Sequence, residues 1–220
     1  MLTVGLTGGI ASGKSTVSRL LRERGAPIVD ADQIVHQLQA PGSPLVTEIA
    51  QAFGPEIIRP DGSLDRPRLG AIVFADPAKR HQLEAIVHPP VRAQIWAEVE
   101  RHRQGGSPPP GGNLLRGQNG GLLGGSPPAV ILDIPLLVEG GWQERLDQVW
   151  LVWVDATTQV ERLMARDGLA REGALARIGA QMPLDQKRAV ADLVIDNTGT
   201  LHETEAQVDH AWRALLASAR

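Results

Sequence analysis

The run "GLTGGIASGKST", Gly5 to Thr16, decides the fold. It sets Gly8, four further residues, then Gly13, Lys14 and Ser15, which is the spacing G-x-x-x-x-G-K-[ST]. An apolar, strand-like segment precedes it and a helical pattern follows, as a phosphate-binding P-loop requires. Glycines let backbone N–H groups turn inward around phosphate oxygens, and the helix that follows presents its positive end to them. Lys14 adds a point charge, and the Ser15 hydroxyl can ligate Mg²⁺. The chain has 19 Arg but only three Lys, at 14, 79 and 187, so the lysine of the motif stands against a low background. The expected nucleoside triphosphate contacts are Gly8, Gly9, Ala11, Ser12, Gly13, Lys14, Ser15 and Thr16. P-loops serve kinases, GTPases and motors alike, so this motif alone leaves the reaction open.

Outward from the loop, five short apolar runs read as strands: Leu2 to Leu6, Pro27 to Asp30, Ala129 to Ile134, Val149 to Val154 and Asp192 to Ile195. Several are continuous rather than alternating, as buried parallel strands are. Helical patterns at Lys14 to Arg24, Val91 to Arg103, Val160 to Asp167 and Glu203 to Ala217 alternate with them, which predicts an α/β domain. About a hundred residues between the second and third strands are too many for one crossover helix. Residues 33 to 104 therefore read as an inserted helical subdomain, and the Arg- and Ala-rich stretch 166 to 182 as a lid. The segment 105 to 128, with 9 Gly, 5 Pro and GGSPP at both ends, is expected to be a disordered linker or surface loop. The core is then 1 to 32 with 129 to 220.

Composition narrows the function. A formal net charge of −3 argues against a general nucleic-acid or anionic-membrane binder. The absence of cysteine excludes a disulfide framework, thiolate metal sites and a cysteine nucleophile. No run approaches the ~18 apolar residues of a membrane span, and the start "MLTVGL" lacks a basic leader, so a soluble cytoplasmic protein is expected.

Asp30 and Asp32 close the second strand in "VDADQIVHQL", at the carboxyl end of a strand expected beside the P-loop strand, where ligands of open α/β sheets bind. Asp32 can accept a proton from a substrate hydroxyl or hold a metal-bound water, or it can simply cap the helix that begins near Gln33. Asp133 ends the third strand in "LDIPLLVE", as a Mg²⁺-binding acid does, and Pro135 and Leu136 suit a substrate wall. Arg162 and Arg166 share a helical face. They fit either a solvated surface or a clamp on phosphates, as Arg177 in the lid does. No N-K-x-D guanine-reading motif is present.

Taken in order, "GLTGGIASGKSTV", "VDAD", "DGSLDRPRLGAIVFADPAKRHQLEAIVHPPV", "LDIPLLVE" and "DLVIDNTG" resemble the dephospho-CoA kinase family, whose members phosphorylate the ribose 3′-hydroxyl of dephospho-coenzyme A with ATP. The matches cover nearly the whole chain except the Gly/Pro segment and the last helix. The resemblance implies a P-loop nucleoside-triphosphate hydrolase fold: a five-stranded parallel sheet flanked by helices, an inserted helical substrate domain and a helical lid. It further implies ATP as co-substrate with Mg²⁺, dephospho-CoA as the partner, and no nucleic acid or membrane. Thr7 and Asp32 would face the acceptor hydroxyl, with Asp32 as general base. Arg162 would contact phosphate beside Lys14, and Asn197 would lie where relatives hold adenine or serve as a turn residue. His88 would lie in the substrate domain, or would only shape a helix start before Pro89.

Overall fold

A computed structural model describes residues 1–105 and 127–219. The Gly/Pro-rich stretch expected to be a linker therefore lies almost wholly outside the described residues. The chain falls into two compact units, Met1–Val29 with Val99–Arg220, and Asp30–Glu98.

The sheet holds five parallel strands, β1 (Leu2–Gly8), β2 (Ile28–Asp30), β3 (Ala129–Asp133), β4 (Gln148–Trp153) and β5 (Leu193–Asp196), in the order β2-β3-β1-β4-β5. Leu6 pairs with Asp133 on one side of β1, and Gly8 with Val152 on the other. Every residue of β3 is buried, which is why its sequence is continuously apolar up to Asp133. On one face of the sheet, Val4, Leu6, Trp150 and Val152 pack with Val17, Leu20 and Leu21 of α1 (Lys14–Glu23) and with Val208, Trp212 and Leu215 of α9 (Leu201–Ser218). Each such side chain contributes about 1.5–3 kcal/mol by leaving water. A box formed by Thr200 and Glu203 caps the start of α9. Leu151 faces the other way and packs with Val154 and with Leu184 of α8 (Leu184–Arg188).

The second strand does not lie beside β1, contrary to the sequence expectation, because β3 sits between them. Apolar runs report burial and not neighbours, and the long connection from β2 to β3 leaves the order of strands free. The consequence is a topological switch point. The chain leaves β1 toward one edge of the sheet and leaves β3 toward the other, so the carboxyl ends of these paired strands form the crevice where ligands bind.

The second unit is helical: α2 (Ala31–Leu38), α3 (Pro44–Phe53), α4 (Arg66–Ala75) and most of α5 (Pro77–Arg103). Its core is Leu45, Ile49, Phe53, Ile57, Leu64 and Leu69. Ser43 caps α3 and Asp65 caps α4. Pro89 and Pro90 lie inside α5, where the sequence places a helix start. They cannot donate to the carbonyls of Ala85 and Ile86, at a cost of about 3 kcal/mol or more for an interior proline. Tertiary packing offsets that cost: Leu83, Ile86 and Val87 join the helical core, and Val91, Ile95 and Val99, four apart, form a buried stripe after the prolines.

Candidate active site

The loop from Gly9 to Gly13 turns the chain from β1 into α1. Two left-handed residues make the turn, Ala11 at φ 60° and Gly13 at φ 86°. A side chain at Gly13 would be strained, and its Cβ would fall 2.0 Å from Asn197 Nδ2. Among the described residues, the amides of Ala11, Gly13, Lys14 and Ser15 have no hydrogen-bond acceptor. They form a nest of inward donors at a helix N-terminus, the arrangement that binds phosphate. Ser12 Oγ is buried and unpartnered within the same turn.

Two cations flank this nest. Lys14 Nζ is ion-paired with Asp133, whose carboxylate is only 6 % exposed at the end of β3. The pair ties the start of α1 to the end of β3. Arg162, on α6 (Ala156–Asp167), brings Nη1 to 4.0 Å from the Cβ position of Gly13. Among the described residues its guanidinium has no hydrogen-bond or ion-pair partner. Arg166 and Arg177 differ from it, since both bind Asp167, at 2.7 Å and 2.5 Å. The hydrogen bond from Arg166 foremost holds the Asp167 carboxyl below the usual carboxylate range. Arg177 thereby ties α7 (Arg171–Gly179) to the end of α6, Arg166 binds its own neighbour on α6, and Arg162 alone of the three is uncommitted.

The loop is held from beneath and from the side. Asn197, buried in the turn after β5, donates from Nδ2 to the Ser12 carbonyl at 2.8 Å and accepts at Oδ1 from Thr204 at 2.8 Å. Gln159 donates to the Ile10 carbonyl at 2.8 Å, and Gln181 accepts from the Ile10 amide at 2.8 Å. Ile10 and Ala11 also pack on Val160, Leu163 and Ala174, the apolar seam between α6 and α7. The segment read as a lid thus touches the loop through carbon and through Gln181.

A family model for dephospho-CoA kinase matches residues 2–105 and 123–203. The chain belongs to the dephospho-CoA kinase family. It is 56 % identical to a dephospho-CoA kinase of Symbiobacterium thermophilum, over 97 % of this chain and 81 % of that one. It is 44 % identical to one of Geobacter metallireducens, over 97 % and 96 %. A Thermus thermophilus protein of known crystal structure superimposes with a TM-score of 0.76 at 39 % identity, covering 99 % of this chain and 97 % of that one.

Within a dephospho-CoA kinase scaffold the other expected residues fall as follows. Thr7 is buried at the end of β1 and donates from Oγ1 to the Pro135 carbonyl at 3.0 Å. Leu136, next to it, is 48 % exposed. Ser15 and Thr16 open α1. In the second unit, Asp30 and not Asp32 caps α2, accepting from the Gln33 amide at 3.0 Å. That removes the capping alternative for Asp32, which sits exposed in the first turn. His88 is exposed on α5 inside the helix. Sequence reasoning missed Gln159, Gln181 and Lys187. Only Lys187 left a signal, as one of three lysines in an arginine-rich chain.

Proposed function

We propose that this chain transfers the γ-phosphoryl group of ATP to the ribose 3′-hydroxyl of dephospho-CoA, giving ADP and coenzyme A, as the last step of coenzyme A synthesis. The observation that carries the reading, beyond family membership, is the uncommitted Arg162 guanidinium beside a nest of free amides. Among the described residues no protein carboxylate meets the positive charge there, which leaves it available to phosphate.

The acceptor 3′-oxygen attacks the γ-phosphorus while the bond from γ-phosphorus to the β–γ bridging oxygen breaks. The hydroxyl proton passes to Asp32. The free amides of Ala11, Gly13, Lys14 and Ser15 hold the phosphates, Lys14 moves from Asp133 to a phosphate oxygen, and Arg162 offsets charge on the transferred group. Asn197 acts on the nucleotide by holding the loop. Thr7, Pro135 and Leu136 are the acceptor-binding residues of the first unit, His88 is that of the helical unit Asp30–Glu98, and residues 166 to 182 close over the phosphates. Ser15 and Asp133 fit Mg²⁺, being hard oxygen donors at the loop. Among the described residues no cluster of three His, Cys, Asp or Glu could hold a metal alone, as suits an ion carried largely by the nucleotide. When bound, that ion would neutralise charge between the β- and γ-phosphates. Among the described residues no helix is long and apolar enough to cross a membrane, in keeping with work in the cytoplasm.

ADP release measured with dephospho-CoA, AMP, CMP and shikimate in parallel tests the reading. Turnover with dephospho-CoA alone is expected, with a product heavier by one phosphate. Comparable turnover of another acceptor, or ATP binding with no turnover at all, would overturn it.

A further inference from the structure

Lys187 lies in α8 with its side chain 0 % exposed. A lysine taken wholly out of water is costly unless its ammonium is paired and hydrogen-bonded. Here Nζ pairs with Glu139 Oε1 at 2.8 Å and donates to the Pro135 carbonyl at 3.4 Å.

Each partner leads to the phosphate site. The Pro135 carbonyl also accepts from Thr7 Oγ1 at 3.0 Å, at the end of β1 where the loop begins. Glu139 Oε1 also accepts from the Met182 amide at 3.2 Å. The residue before Met182 is Gln181, whose Oε1 takes the Ile10 amide at 2.8 Å. One ammonium therefore closes a ring through the end of β1, the turn after β3, the turn between α7 and α8, and the tip of the P-loop. The first turn of α8 also abuts the loop: Leu184 lies 3.3 Å from where a Cβ on Gly9 would stand. A methionine would fill the space with less desolvation. What it would lack is the ability to fix the Pro135 carbonyl and the Glu139 carboxylate about a single point.

We propose that Lys187 is a positioning residue for nucleotide binding and phosphoryl transfer: from its buried site it sets the 135–139 turn and, through Met182 and Gln181, the tip of the P-loop. The inference rests on the phosphoryl-transfer reading for its effect on turnover, but not for its effect on nucleotide binding.

Lys187→Met and the double variant Lys187→Met with Glu139→Gln test it, with melting followed by circular dichroism and affinity by a fluorescent ATP analogue. Both are assayed at a temperature where the fold is intact. The single variant is expected to melt lower, since Glu139 loses its cation, and to bind the analogue about tenfold or more weakly, the scale of one charge-assisted hydrogen bond. The double variant should recover much of the melting temperature and little of the affinity or kcat, an outcome that a merely structural lysine would not give. Affinity and kcat within about twofold of the parent in the folded double variant, a difference under 0.5 kcal/mol, would overturn the proposal. Should Lys187→Met fail to fold, Gln181→Ala tests the same path from its other end: weakening of about threefold to tenfold is expected for the lost Ile10 bond, and unchanged affinity would overturn it. A parent chain that binds the analogue but leaves dephospho-CoA untouched would sink the proposed reaction, and the binding comparison would still decide the role of Lys187.

Discussion

Replacing Asn197 probes how the phosphate loop is held. The side chain is 7 % exposed and makes two good hydrogen bonds, one to the Ser12 carbonyl and one from Thr204, both at 2.8 Å. Thr204 has a second acceptor in the Thr200 carbonyl at 3.2 Å, so truncation orphans chiefly the Ser12 side. One lost bond plus one stranded buried acceptor amounts to about 2–3 kcal/mol for Asn197→Ala. At roughly 2–4 °C per kcal/mol for a chain of this size, the melting temperature should drop by about 4–12 °C. Asn197→Asp should be worse although it is nearly isosteric. An oxygen would replace Nδ2 opposite the Ser12 carbonyl, setting two acceptors face to face, and a charged carboxylate would be taken out of water. Circular dichroism melts with ATP-analogue titration check both. Gly13→Ala adds a third arm, because its Cβ would strike Asn197 Nδ2 at 2.0 Å while φ stays at 86°. Combined with Asn197→Ala, the clash vanishes and only the backbone strain persists, so the two costs should fall short of additive. An aspartate milder than alanine would refute the reasoning, as would additivity within about 0.5 kcal/mol.

Asp32→Asn should lower kcat by about 10² to 10⁴, the usual value of general-base catalysis, with ATP affinity retained; near-parental turnover in a steady-state assay would remove Asp32 from the chemistry. Arg162→Lys keeps the charge but loses the planar fork, so single-turnover rates should fall about tenfold or more with dephospho-CoA affinity little changed; parental rates would return Arg162 to the solvated surface. Asp155 caps α6, and its bonds from Thr158 Oγ1 at 2.5 Å and from the Thr158 amide at 2.9 Å hold its carboxyl below the usual range. Because the folded value is depressed, this stabilisation is complete above the ordinary carboxylate pKa of about 4 and is lost as the pH falls through the folded value. Asp155→Asn keeps an acceptor for the Thr158 amide but loses the charge and the second acceptor oxygen, so its melting temperature should lie below the parent near pH 7 and the two should converge in acid. Parallel curves would count against that account.

The P-loop and all five strands were legible in the sequence because glycine spacing and continuous apolar runs are local signals. Their order was not, since nothing in Ala129–Asp133 tells that the strand inserts between β2 and β1. The prolines at 89 and 90 misled for the converse reason: their local preference is overridden by packing along α5. At the site, Lys14 and Ser15 were named from the spacing of the P-loop motif and Arg162 from the family resemblance. The supports could not. Gln159, Gln181, Lys187 and the grip of Asn197 on Ser12 depend on residues brought together from distant positions, and a buried lysine carries no periodic mark in the chain.

The Lys14–Asp133 pair also bears on which anions the protein admits. An ammonium already matched by a carboxylate from the neighbouring strand exerts little pull on a passing anion. A sulfate or a single orthophosphate can meet the free amides and Arg162, but it gains Lys14 only by displacing Asp133. A nucleoside triphosphate bound as proposed would engage the amide nest, the helix end and both cations together, and so would regain more than the displaced carboxylate costs. Asp133 is then an internal competitor that a ligand has to displace only if it reaches past the nest to Lys14.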